Sequence, residues 1–281
     1  MRLGQIRFDN KITAAVFDDN RARPIPGYST VDLIRKAETE QVALTALASE
    51  MASHHPESAV PLLPIHPVEV WACGCTYETS ATFRDEQHGQ ITGIYAYVCR
   101  SERPEIFFKG TARTCVGPGQ PIGIRFDSKF TAPEPELGVV LGRNGNVVGY
   151  TLGNDVSAWD IERENPLYLP QSKVYTGACA LGPVIVTTDD LPDVHKLEMT
   201  CTITRGNEVR FSGNISIGRL RRSIDELIKY LLRANPVPAG SVMLTGTGII
   251  VPEDAALAPG DVVRIRIPDI GELANPAAVV E

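Results

Sequence analysis

No apolar run in this chain approaches the roughly 20 residues that a membrane-spanning helix needs. The opening MRLGQIRFDN also lacks the apolar stretch of a secretory signal. Cysteine is sparse: six in 281 residues is far below the density of a disulfide-stapled secreted domain. Cys73 and Cys75 form a C-x-C, but no second pair or His-x-His follows at zinc spacing, so reduced thiols packed as small apolar side chains are expected. Positive charge is not in excess. Against 34 acidic residues stand 27 basic ones, scattered along the chain, for a net charge of −7, which leaves no electrostatic footprint for nucleic acid. Low-complexity segments and internal repeats are absent, and 43% hydrophobic residues are enough for a packed core. What survives these exclusions is a globular, cytoplasmic protein whose partner is a small molecule, not a membrane or a nucleic acid.

Several catalytic signatures are missing too. There is no G-x-S-x-G elbow, and the five histidines (His54, His55, His66, His88, His195) lie in linker or surface-like segments, which argues against a serine triad. GRNGNVVG (142–149) lacks G-x-G-x-x-G and sits between two β-like runs, so it reads as a hairpin turn. TGTG (245–248) has no following Lys; it is either a plain turn or a loop offering Thr245, Thr247 and backbone N–H groups to an anion.

What is present divides the chain in two. Residues 2–8 and 12–17 alternate apolar and polar positions around FDNK, the pattern of a hairpin. Ser29 with Asp32 has capping-box spacing, and Leu33, Ile34, Ala37, Leu44 and Leu47 keep helical spacing to about residue 52. Prolines at 56, 61, 64 and 67 then exclude helix and central strand, which places a boundary after residue 66. From 67 to 281 short β-like runs dominate: EVWACG, AYVC, IFFKG, ELGVVLG, NVVGYTLG, LGPVIVT, LEMTCTITR, SVMLTG and DVVRIRI. One clear helix, 223–234, opens on Ser223 and Glu226. Strands that do not alternate with helices disfavour a doubly wound parallel sheet and favour a mixed sandwich or roll.

The carboxylates carry the chemistry. Glu134 and Glu136 in PEPELGVVLG fall on one face of a strand, and Asp155 ends the next β-like run in GYTLGND. If those runs pair, three acids converge. Such a cluster either stays solvated or holds a hard divalent cation, magnesium or manganese, because buried anions must be paired or ligated. Lys173, in the polar insertion LPQSKVY, is placed to face such a site.

The run FFKGTARTCVGPG…PEPELGVVLG…GYTLGNDVSAWDIE…K…ALGPVIVT, closing with LTGTG and PGDVVRIRI, resembles the fumarylacetoacetate hydrolase superfamily over about residues 68–281. The resemblance implies an α+β, β-rich fold, a mixed β-sandwich roll for 67–281 with a small N-terminal α/β domain over 1–66. It also implies a homodimer or dimer of dimers. Glu134, Glu136 and Asp155 match its ligands for Mg²⁺ or Ca²⁺, and Lys173 matches its active-site lysine. Within the superfamily, IERENPLYLPQSKVY…CALGP is most similar to the 2-keto-3-deoxy-D-arabinonate dehydratase group, in which Glu105 joins the site. The expected activity is therefore dehydration of a 2-keto-3-deoxy sugar acid through a metal-stabilised enolate. Lys173 acts there as cation or base, and Glu105 moves the proton to the leaving hydroxyl. Fumarylacetoacetate- or acylpyruvate-type C–C hydrolysis and oxaloacetate decarboxylation or tautomerisation are the alternatives. Family hydrolases place a water-activating His and Glu three and six residues after a Tyr; after Tyr77 those places hold Ser80 and Phe83. Trp159 stands where the family carries Arg, and Arg84 is a candidate replacement for binding a substrate carboxylate, as Thr245 and Thr247 are for substrate.

Overall fold

Residues 1–18, 21–77 and 94–281 are described by the computed structural model. Alternation in RLGQIRF and KITAAVFD yields β1 (Arg2–Phe8) and β2 (Lys11–Asp18), paired antiparallel with Arg2 opposite Phe17. Their turn residues Asp9 and Asn10 take positive φ of 47° and 61°, which Asp and Asn tolerate better than other side chains. β3 (Arg21–Ile25) follows on β2.

α1 (Thr30–Glu40) starts at the capping box. The Ser29 hydroxyl accepts from the Asp32 N–H, and the Ser29 N–H donates to the Asp32 carboxylate at 2.9 Å. The helix expected to run on to residue 52 is in fact two. Gln41 adopts a left-handed φ of 55°, the Val42 N–H closes onto the Ala37 carbonyl at 3.0 Å, and α2 (Leu44–Met51) begins after Ala43. The break leaves Leu33, Ile34 and Ala37 of α1 and Leu47 and Ala48 of α2 all buried. β4 (Glu57–Ser58) then pairs with β3.

The rest of the chain runs β5 (Val70–Gly74), α3 (Ile94–Arg100), β6 (Glu105–Gly110), β7 (Cys115–Val116), β8 (Ile122–Arg125), β9 (Thr131–Ala132), β10 (Pro135–Leu141), β11 (Val147–Asp155) and β12 (Ser157–Ala158). After α4 (Trp159–Glu164) and α5 (Leu169–Lys173) come β13 (Cys179–Thr187), β14 (Glu198–Arg205), β15 (Glu208–Ser216), α6 (Ile224–Leu231), β16 (Ser241–Leu244), β17 (Val262–Ile267) and β18 (Gly271–Val280). AYVC, expected as strand, lies in α3 instead. A four-residue apolar run does not distinguish strand from helix, and here Arg222 donates to the carbonyls of Ser101 and Glu102 just past the helix end. α6 starts where expected, the Ser223 hydroxyl accepting from the Glu226 N–H at 3.1 Å.

Two mixed sheets result, beside a short antiparallel pair of β9 with β12. The larger has the order β4-β3-β2-β1-β13-β11-β10-β16-β5-β6, with β7 parallel to β13, and the smaller the order β15-β14-β17-β18-β8. Neither closes into a barrel among the described residues, and the molecule is a β-rich α+β fold. Period-two geometry gives the large sheet two apolar faces. One, with Leu137, Val139, Leu152 and Val184, packs on Met199, Ile203, Val263 and Ile265 of the small sheet and on Leu227 and Ile228 of α6. The other, with Val140, Leu181, Ile185 and Val242, is covered by Val31, Leu33 and Ile34 of α1 and Ala48 of α2. No described helix is long and apolar enough to cross a membrane.

Candidate functional site

Glu134 immediately precedes β10 and Glu136 is its second residue, so both side chains project from one face. The turn after Gly142 returns β11 in register, Glu136 opposite Gly153 and Pro135 opposite Asn154, and the Asp155 N–H reaches the Glu134 carbonyl at 2.9 Å. That pairing brings Glu134, Glu136 and Asp155 together as the hairpin reading expects. Each offers an oxygen within 4.8 Å of the others, and all three are buried, at 3%, 1% and 1% exposure. Burial, with the charges of Asp155 and Glu134 adding to it, pushes the Glu136 carboxyl well above the ordinary carboxylate range; the Gly246 N–H, donating to Glu136 Oε2, works the other way.

Two buried ammonium groups face this cluster. Lys173, the last residue of α5, donates to Glu134 Oε2 at 2.9 Å, to Asp155 Oδ2 at 3.3 Å and to Ser157 Oγ at 2.5 Å, with Glu162 Oε2 at 3.8 Å. Lys109 is fully buried. Its Nζ pairs with Asp155 Oδ1 at 2.5 Å and donates to the carbonyls of Val156 at 2.9 Å and of Lys173 itself at 2.6 Å. Four carboxylates (Glu134, Glu136, Asp155, Glu162) thus meet two lysines, so that the fully ionised cluster is two positive charges short in a buried setting. Buried charge of one sign requires compensation. An all-oxygen donor set with that deficit fits one hard divalent cation.

Residues 95–278 match the C-terminal family profile of fumarylacetoacetate (FAA) hydrolase. The chain belongs to the fumarylacetoacetate hydrolase family. It is 49% identical over 216 residues to a 2-dehydro-3-deoxy-D-arabinonate dehydratase of Saccharolobus solfataricus, a match covering 76% of this chain and 72% of that one. It is 46% identical over 218 residues to a probable 2-keto-3-deoxyxylonate dehydratase of Haloferax volcanii, covering 78% and 75%. Among solved structures, 2-keto-3-deoxy-D-arabinonate dehydratase complexed with magnesium and 2,5-dioxopentanoate superposes over 100% of both chains, with a TM-score of 0.83 and 37% identity.

Against this fumarylacetoacetate hydrolase framework the other expected residues fall into place unevenly. Glu105 opens β6, where alternation puts it on the same side as Phe107 and Lys109; the Lys173 ammonium lies 5.4 Å from the Phe107 ring centre. The Glu105 carboxylate accepts from the Cys75 thiol at 3.4 Å and packs over Gly74, where a Cβ would come within 2.1 Å of it. Thr245 is fully buried and its hydroxyl donates to the Leu137 carbonyl at 3.1 Å; the Thr247 hydroxyl is engaged with the backbone of Ile249. Of the TGTG loop it is the Gly246 N–H that meets an anion, and the anion is Glu136. Arg84, Ser80 and Phe83 lie outside the described residues.

Lys109, Ser157 and Glu162 were not among the expected site residues. A lysine inside the apolar run IFFKG was the available signal for the first, since two residues on from Phe107 it must share a face with Glu105. Trp159, noted only as a departure from the family Arg, donates its indole N–H to Glu134 Oε1 at 2.7 Å.

Proposed function

We propose that this protein is a divalent-metal-dependent hydro-lyase that converts 2-dehydro-3-deoxy-D-arabinonate to 2,5-dioxopentanoate, with Mg²⁺ held by Glu134, Glu136 and Asp155. The observation that carries the reading is the trio of buried carboxylates facing the Lys173 ammonium, in a chain similar at 46–49% identity to dehydratases of 2-keto-3-deoxy acids. Bound there, the ion supplies Lewis acidity toward the carboxylate and keto oxygens of a 2-keto acid.

The protein's own groups divide the remaining work. Lys173 is surrounded by oxygen acceptors, the setting of an ammonium that faces the negative charge growing on the keto oxygen as the C3 proton leaves. Glu105 carries the C3 proton to the C4 hydroxyl as the C4–O bond breaks, so that one water departs and a C3=C4 enone remains; a proton moved from C5 to C3 then gives the C4=C5 enol, whose tautomerisation leaves the C5 aldehyde. The small sheet and the tightly packed β10–β11 core hold the trio rigid, which electrostatic stabilisation of this kind demands.

The reading extends to organisation. A small N-terminal α/β domain over 1–66 and a catalytic domain over 67–281 accord with the family match beginning at residue 95. A cytoplasmic setting accords with six free cysteines. Assembly as a homodimer, or a dimer of such dimers, accords with Phe126 and Val279, 71% and 51% exposed on the neighbouring β8 and β18 ends.

The test is proton NMR of the purified protein with Mg²⁺ and 2-keto-3-deoxypentonate isomers, with an acylpyruvate in a parallel tube. Formation of 2,5-dioxopentanoate is expected, abolished by chelation. Pyruvate from the acylpyruvate tube alone would overturn the dehydratase in favour of a C–C hydrolase.

A further inference from the structure

Glu134 has both carboxylate oxygens engaged: Lys173 Nζ donates to Oε2 at 2.9 Å and Trp159 Nε1 to Oε1 at 2.7 Å. The second donor is unusual in its mounting. Trp159 is 4% exposed and opens α4, and its own N–H is tied to the Phe130 carbonyl at 2.8 Å. Its ring packs against the Phe130 ring, 5.6 Å away at 58°, and the Arg163 guanidinium lies against both, 5.1 Å from the Trp159 ring centre and 4.8 Å from that of Phe130. Arg163 is anchored in turn by Glu253 at 3.3 Å. An indole buried, fixed on its backbone and packed against an aromatic ring and a cation has little rotational freedom to lose when it donates. It is also a donor that brings no charge. Lys173 both orients and neutralises the carboxylates; Trp159 orients Glu134 while leaving its negative charge for another cation.

We propose that Trp159 is a positioning residue for the metal centre: through Nε1 it fixes the Glu134 carboxylate in the orientation that a divalent cation takes up. The inference rests on the metal reading above and assigns a role to a side chain that acts through its hydrogen bond to Glu134. Partners that orient a ligand in this way typically contribute about 10- to 100-fold to metal affinity.

Isothermal titration of the protein with MgCl₂ tests it, wild type beside Trp159→Phe, which keeps an aromatic ring packed against Phe130 and Arg163 and removes the indole N–H. Wild type binds Mg²⁺. Trp159→Phe is expected to bind about 10- to 100-fold more weakly, with turnover recovering toward wild type as Mg²⁺ is raised to saturation, a recovery that general damage to the fold would not permit. Equal affinity in the two proteins overturns the positioning role alone, whereas no Mg²⁺ binding by wild type overturns the metal reading itself. Should Trp159→Phe fail to fold, Trp71→Phe decides, because it leaves Trp159 as the only tryptophan of the two in the chain. Mg²⁺ is then expected to shift its fluorescence emission as the charge on the hydrogen-bonded Glu134 is neutralised, and an unchanged spectrum at saturating Mg²⁺ overturns the inference.

Discussion

Replacing Lys109 with methionine is the most informative perturbation of the buried charge cluster. Methionine matches the unbranched stem, so packing between β6 and the site is largely retained while the ammonium is lost. Lys109 is 0% exposed, and its Nζ donates to the Val156 and Lys173 carbonyls and forms an ion pair with Asp155 Oδ1. Without it the cluster loses one of the two positive charges that compensate its carboxylates. Breaking a buried ion pair from one side costs about 3–5 kcal/mol, because the surviving charge stays desolvated. Against a total stability on the order of 5–15 kcal/mol, that is a large share. The loss is expected in full in EDTA, read as a lower urea midpoint at unchanged slope. Mg²⁺ should return part of it, since an ion that binds only the native state at 100 times its Kd adds about 2.7 kcal/mol. A destabilisation under about 1 kcal/mol in EDTA, or one that Mg²⁺ does not relieve, would refute the reasoning that Lys109 compensates Asp155.

Three further outcomes follow from the same geometry. Lys173→Ala is expected to cost about 10²-fold or more in turnover of 2-keto-3-deoxypentonate at saturating Mg²⁺, measured by steady-state kinetics; near-normal turnover would remove Lys173 from the chemistry. The Glu136 carboxyl is pushed up by burial and by Asp155 and Glu134, so the folded apo-protein holds a proton that the unfolded chain releases. In EDTA this group's contribution to stability is therefore present at low pH and falls as pH rises above the ordinary glutamate range, and thermal melts should show the decline in wild type but not in Glu136→Gln. Gly246 has a φ of 91° and its Cβ position is 2.0 Å from Thr76 Oγ1, while its N–H holds Glu136. Gly246→Ala should accordingly lower both the melting temperature and Mg²⁺ affinity, measured by scanning calorimetry and titration.

Much of the site was legible in the primary structure, because a hairpin is local. Glu134, Glu136 and Asp155 converge once ELGVVLG and NVVGYTLG pair across GRNG, and both strands and turn carry clear signals. Lys173 was legible as a cation out of place in a polar insertion. The role of Lys109 was not, since β6 reaches the site only through the order β10-β16-β5-β6, three pairings that no local pattern specifies. Trp159 shows the opposite difficulty: its departure from the family Arg was visible, but that its N–H would find Glu134 depends on Phe130 and Arg163 gripping the ring. The split of the N-terminal helix at Gln41 and the helical state of AYVC were misjudged for a shared reason. Short apolar periodicity fixes which residues are buried, not which backbone carries them.

The pairing of β1 with β13 sets a limit on how this protein can be cut. Arg2 and Leu3 sit opposite Val186 and Ile185, and β13 also carries Cys179, opposite Asp155 on β11. A chain begun at residue 67 would turn that stretch of β13 into a bare sheet edge and uncover Ile185 and Leu181, now covered by α1 and α2. The stripped edge would recruit any passing strand, and the damage would lie on the same strand that borders Asp155 of the buried carboxylate cluster. Any attempt to express residues 67–281 by themselves should expect aggregation, and tags or fusions belong at the end of the chain away from β1.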